Sequence, residues 1–359
     1  MQKKTQGFFL IIIILLSILV ATPKTFAVES TTSTTEHMIR ERPLTNISLQ
    51  EMINNAAPGE ILQLPSITFT EVLTIDKPLH LRGEGPIQTV LQPTSAPNGY
   101  AIQITAEGVI LSNLTIMNHA DGLYTTALKI TAENTTIEHC VFQHTPIGIA
   151  IWSSKNTITN CVFQDCTDEG IVLLGTPASA CTNNTIASCL FIENCDGIEL
   201  QYATYTQIVL CNFTRNTHAG IDAIESDNDD NIISECTFID NSAFGLYLAR
   251  SSQNLITKCS FTNDALMLVH SMQNTLHNSQ IKNIHLLDES SLLLDQCINA
   301  TTDHIITEQS TFEIRTHNQE QTHTSENVPI RRYHQILISL LSHLKTLQTF
   351  IAQFSTARM

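Results

Sequence analysis

The chain has one tryptophan in 359 residues, 14% charged residues, and 18 Lys and Arg against 34 Asp and Glu. A net charge of −16 provides no basic patch of the kind that nucleic acid or an anionic bilayer requires. It also disfavours direct grip on a polyanionic sugar unless a metal bridges the two. Neither Cys-x-x-Cys nor His-x-x-x-His occurs, so metal-ligand spacing is absent, no metal ligand is assigned and no cofactor is named.

What is present is a phrase repeated six times: Cys140-Val141-Phe142, Cys161-Val162-Phe163, Cys189-Leu190-Phe191, Cys211-Asn212-Phe213, Cys236-Thr237-Phe238 and Cys259-Ser260-Phe261. The spacings of 21, 28, 22, 25 and 23 residues lie in the range of stacked solenoids. Residues two apart share one face of a strand, so each Cys and Phe points inward together. Upstream, Asn156, Asn184, Asn231 and Asn254 each precede an Ile by two. Downstream, Gly148, Gly170, Gly197, Gly220 and Gly245 open a second alternating strand. Two short strands per unit, with no room for a crossover helix, predict a single-stranded parallel β-helix in which each coil buries its apolar face on the next. Leu114 with Ile116, Ser279 with Ile281, and Cys297 continue the pattern, giving about ten or eleven coils from Ile61 to Thr311.

The ends differ from the middle. Lys3 and Lys4, the fourteen-residue apolar run Phe8–Ala21 and the small-residue site at Ala27 predict a secretory signal over 1–27. A Ser/Thr-rich linker follows over 28–44 and the β-helix domain over 45–311. Ser48-Leu49-Gln50-Glu51 matches a capping box, predicting a helix from Leu49 to Ala57 that covers the first coil. A polar linker is expected over 312–330. Apolar residues at helical spacing over 331–354 predict an amphipathic helix that closes the last coil; it offers the only route to membrane contact. An extracytoplasmic monomer is expected.

Ten cysteines in an exported chain suggest disulfides, but six occupy one inward position. In-register parallel strands aim their Cβ vectors the same way, so free thiols are expected there. Cys166 and Cys195 are candidates for a bridge between coils. Met267, His270, Met272 and His277 form a loose soft-ligand group suited to copper, although packing and surface roles are commoner for such residues.

Reading the outward position of the Gly-Ile-x-Leu strand gives Ala150, Val172, Glu199, Asp222, Tyr247 and Met267. Glu199 and Asp222 are thus expected as solvent-facing neighbours one strand spacing apart, able to act as nucleophile and acid or to share a cation. His218 is the candidate third catalytic group. Asp196, Glu225, Tyr202, Tyr247 and Arg215 are candidate carbohydrate contacts. A merely solvated acidic face would account for the acids equally simply.

The stretch Ser48–Ile61, followed by Phe69–Gly83, resembles the start of right-handed β-helix proteins of the pectin-lyase-like superfamily, especially the NosD-like surface and periplasmic group. The resemblance covers about 45–311 and implies a right-handed coil. It does not fix an activity, because that superfamily holds lyases, hydrolases, epimerases and non-catalytic members. Asp229-Asp230 and His218 near Gly220 match fragments of the polygalacturonase-like motifs, but the full set is missing. The expected function is an exported protein that binds extracellular polysaccharide or glycoconjugate along its outer face. The alternatives are a polysaccharide hydrolase or lyase using Glu199 and Asp222, and a surface scaffold or NosD-like copper-enzyme maturation factor.

Overall fold

The computed structural model describes residues 48–224, 226–298 and 305–316, and the backbone of 319–324. The expected signal, the Ser/Thr-rich linker, Glu225 and the 331–354 helix lie outside the described residues.

Each full coil carries three strands rather than the two expected, and these stack into three sheets of thirteen, nine and eleven strands. Sheet 1 runs from Glu60–Gln63 to Gln319–Thr324, sheet 2 from Thr68–Phe69 to Ser260–Thr262, and sheet 3 from Leu73–Ile75 to Ile305–Thr307. The additional strand is the Asn-x-Ile segment, such as Thr157–Thr159 and Thr185–Ala187. Its single inward Ile stacks coil on coil, Ile158 on Ile186 on Ile208. Strand pairing is parallel throughout the three sheets except at the end, where Thr311–Thr316 pairs antiparallel with Gln319–Thr324. The segment expected to be a polar linker from 312 therefore begins as strand, with Phe312 buried in the core.

Register places identical residues directly over one another. The rings of Phe142, Phe163, Phe191, Phe213, Phe238 and Phe261 form one stack, with centroids 4.6–5.0 Å apart and planes within 12°. Each such pair adds about 0.5–1.5 kcal/mol beyond its area burial. The same stack explains the glycines. A Cβ on Gly197 would lie 2.6 Å from Phe213 Cδ1 and 2.5 Å from the Gly220 carbonyl oxygen, so the strand can pass the rings only without a side chain.

The six thiols form the expected buried column. Each donates to the carbonyl two residues back, as Cys161 Sγ does to Thr159 O at 3.3 Å. Cys166 and Cys195 are free thiols, not a bridge. Cys195 N donates to Cys166 O at 3.0 Å, so the two occupy equivalent places on successive coils and share the side-chain direction that disfavours a crosslink.

Asn side chains satisfy the corners. Asn194 N donates to Asn216 Oδ1, Asn216 N to Asn241 Oδ1, and Asn241 N to Asp264 Oδ1, at 3.1–3.2 Å. A second ladder runs through Asn231, Asn254 and Asn274. The corner before each repeated Cys turns on one left-handed residue: His139, Asn160, Ser188, Leu210, Glu235 and Lys258, with φ of 52–55°. The long unit between Cys161 and Cys189 places its surplus in a small corner loop, where Thr176 bridges Ser179 and Cys181–Thr182 pairs with Ala203–Thr204.

At the first coil, helix α1 (Leu49–Asn55) buries Leu49 and Ile53 in the core, and Ser48 Oγ accepts from Glu51 N. Glu71, from the loop before sheet 3, accepts from Leu49 N and Gln50 N and so completes the cap from outside the helix. The chain turns extended at Ala56, just short of the expected end.

Two outcomes are expected. Leu210, half-exposed at φ 55°, is a poor left-handed residue; Leu210→Gly should stabilise by about 1 kcal/mol in denaturant melts, and a loss would show an unstrained corner. Asp264 is pushed up to about 6 by burial, against the hydrogen bonds from Asn241. Its native pKa exceeds its unfolded value, so it contributes stability in acid that is lost as pH rises from about 4 through 6. Asp264→Asn, compared with wild type by thermal melts at about pH 4.5 and about 7.5, should remove that part of the decline.

Candidate functional site

The outer face of sheet 3 carries two columns that matter. One is the residue before each glycine: Ile147, Glu169, Asp196, Ala219 and Phe244. The other is the x position, through Val172, Glu199, Asp222, Tyr247, Met267 and His285. Glu199 and Asp222 are paired in register, as the spacing predicts. Solvent-facing they are not: Glu199 is 6% and Asp222 3% exposed. The pleat decides which side a residue faces but not what packs above that side, and Val172, Leu174, Tyr247 and Met267 on the same face are buried as well.

His218 joins the acids. Its Nδ1 lies 2.9 Å from Asp196 Oδ1 and 3.6 Å from Asp222 Oδ2, and Ala219 N donates to the same Asp196 oxygen at 2.8 Å. Burial alone would lower the imidazole, but the hydrogen bond and charge of Asp196 and the charge of Asp222 prevail and raise it to about 9. The side chain is 13% exposed, making His218 the most open member of the group. Asp222 is raised to about 8 by burial and by the Asp196 charge, with His218 opposing. Burial and then neighbouring acids push Glu199 and Glu169 well up too. Among the described residues, three buried carboxyl oxygens have no hydrogen-bond partner: Glu169 Oε2, Glu199 Oε1 and Asp222 Oδ1.

The structure thus brings together Asp196, Glu199, His218 and Asp222. Of the other described candidates, Arg215 and Tyr202 lie on corners, and Tyr247 stands next to Asp222 in the x column but belongs to an apolar group. Arg215 sits on the corner between sheets 2 and 3, paired with Glu193 at 3.0 Å. Tyr202 is half-buried at the corner after sheet 3, with its N–H on Ser226 Oγ. Tyr247 is buried against Phe244, centroids 5.5 Å apart, in an apolar group with Met267 and Leu287. The soft-ligand group is dispersed: Met267 belongs to that apolar group, Met272 is exposed, and His277 bonds Asp295 at 2.8 Å.

Other residues on this face escaped the sequence reading. Tyr124 is close enough that Asp168, Glu169 and Glu199, after burial, raise its phenol. Lys129 Nζ lies 4.2 Å from the Tyr100 ring centroid and 5.8 Å from that of Trp152. Tyr100, Tyr124 and Lys129 come from coils preceding the clear repeats, where only register with later strands reveals their position; Trp152 follows the sheet 3 strand of the first clear repeat. From Tyr100 to Tyr247 the strip crosses six strand spacings, about 29 Å.

A family model described as a right handed beta helix region matches residues 100–261 and 222–328, and the chain belongs to that family. No curated protein matches its sequence. Among solved structures, the catalytic unit of a GH87 α-1,3-glucanase from Streptomyces thermodiastaticus is similar at 13% identity and TM-score 0.55, over 75% of this chain and 64% of that one. A PL6 alginate lyase in complex with trisaccharide is similar at 11% identity and TM-score 0.51, over 74% and 81%. An alginate lyase from a Paenibacillus strain is similar at 14% identity and TM-score 0.46, over 73% and 95%. At such identities the likeness is one of fold.

In chelator-treated protein near pH 7, His218→Ala and Asp222→Asn should differ sharply in effect. Removing the imidazole abandons a buried carboxylate and should cost on the order of 3 kcal/mol. Asp222, pushed up to about 8, is mostly neutral at that pH, so exchanging its carboxyl for an amide should move the melting midpoint little. Equal destabilisation by both would contradict the electrostatics described.

Proposed function

We propose that the protein is an exported β-helix that binds carbohydrate on the outer face of sheet 3, with the ligand lying along the strip from Tyr100 to His218. The observation that carries this reading is the conjunction on one sheet face of aromatic side chains, Tyr100, Tyr124 and Trp152, with a dense polar group ending in His218. Flat rings suit the apolar face of a sugar, and convergent carboxyl and imidazole groups suit its hydroxyls. Trp152, Tyr124 and His218, which retain some exposure, serve as contacts in this proposal. Glu199 and Asp222, being buried, hold the others in place. A net charge of −16 favours a neutral polysaccharide over a polyanion. Export rests on the 1–27 segment. Fold relatives whose names denote a glucanase and an alginate lyase are compatible with the carbohydrate class.

A hydrolase or lyase using Glu199 and Asp222 is the second reading, favoured by their pairing in register. Against it, a retaining pair needs one ionised nucleophile, and burial pushes both acids toward their neutral forms. His218, held protonated, is a poor general base.

Trp152, the one tryptophan, makes the test direct. Titration with neutral and acidic polysaccharides should change its emission for a neutral glycan, and His218→Ala or Tyr124→Ala should weaken binding at least about tenfold. Binding that ignores both substitutions would remove the strip from consideration. Release of new reducing ends, abolished by Asp222→Asn, would establish the second reading instead.

A further inference from the structure

The acid cluster has an electrostatic problem that its own residues do not solve. Glu169, Asp196, Glu199 and Asp222 are all at most 6% exposed, and His218 is the one cationic group within hydrogen-bond reach of them among the described residues. A single imidazolium cannot neutralise four ionised acids, so protons or a bound cation must supply the rest. Three of their oxygens also lack a hydrogen bond from any described residue, a costly arrangement for buried carboxyl groups.

One oxygen each from Asp196 and Asp222 and one nitrogen of His218 lie within 4.8 Å of one another. The separations, 2.9 Å from His218 Nδ1 to Asp196 and 3.6 Å to Asp222, bracket the ligand-to-ligand distance of about 3.4 Å for a tetrahedral ion with bonds near 2.1 Å. Asp222, 3% exposed and belonging to this triad, has no partner for its Oδ1 among the described residues. We propose that Asp196, His218 and Asp222 bind one divalent transition-series cation, leaving an open coordination position for water or a ligand hydroxyl.

The donor set chooses the metal class. An imidazole nitrogen with two carboxylates suits zinc or manganese, whereas calcium takes oxygen ligands throughout and copper(I) selects sulfur. The ligand residues come from two successive coils, Asp196 from one and His218 with Asp222 from the next. A bound ion would therefore clamp one strand of sheet 3 to its neighbour. This inference shares residues with the proposed carbohydrate strip but does not rest on it, because metal binding is measured with no sugar present.

The test uses the full chain, stripped with chelator and dialysed against Zn2+, with bound metal measured by elemental mass spectrometry and affinity by competition with a chromophoric chelator. One zinc per chain is expected, weakened at least about tenfold in both His218→Ala and Asp222→Asn and not displaced by excess Ca2+. Zinc X-ray absorption of the wild-type protein gives an answer independent of how the variants fold: a first shell of nitrogen and oxygen with imidazole scattering is expected. No binding, displacement by Ca2+, binding untouched by both substitutions, or a sulfur-containing shell that points to the thiols would each overturn the proposal. Sugar binding that persists in metal-free protein would leave the carbohydrate reading standing whatever the metal result.

Discussion

Strict register between coils governs this molecule. Once Phe163 lies on Phe142 and Phe191 on Phe163, every other residue of the coil is committed to a column, and each column must consist of groups that tolerate their own copies as neighbours. Aromatic rings, thiols and carboxamides do so. Rings stack, thiols donate to backbone carbonyls, and each amide both accepts from the coil before and donates onward. The glycine column follows from the ring column, and the left-handed corners follow from turning between short strands without changing the count.

Carboxylates are the group that does not tolerate its own copies. On the outer face of sheet 3 the stacking rule sets Glu169 over Asp196 and Glu199 over Asp222, and burial removes the water that would screen them. Such an arrangement persists only if protons, the His218 charge or a bound cation relieve it. Its confinement to coils in the middle of the solenoid, between apolar groups around Val172 on one side and Tyr247 on the other, separates it from the scattered acids of the corners.

Much of the fold could be read from the residues, for a simple reason: a column repeats its chemistry, and six copies of Cys-x-Phe leave little freedom for the strand between them. The sheet 1 strand was missed because three residues with one inward Ile show no alternation of their own. The Glu199–Asp222 pairing was legible, since register is a matter of counting. Their burial was not, because it depends on what packs above a face and not on which face a residue occupies. Lys129 and Tyr124 were missed because their coil lacks the repeated phrase, and Trp152 because it lies just past the last residue of its strand, Ile147–Ile151. Glu169 and Asp196 share a signal that was available, the place immediately before the glycine.

The all-thiol interior bears on how this protein fails. Its core contains no covalent crosslink, so folding requires no oxidant and a reducing milieu leaves the native state intact. Loss of the fold reverses that immunity: ten sulfhydryls become accessible at once in a chain evenly spaced for pairing with itself or with its neighbours. In oxidising surroundings, unfolding would then become a one-way step, and persistence would be set by the rate of the first opening event more than by the equilibrium between folded and unfolded forms.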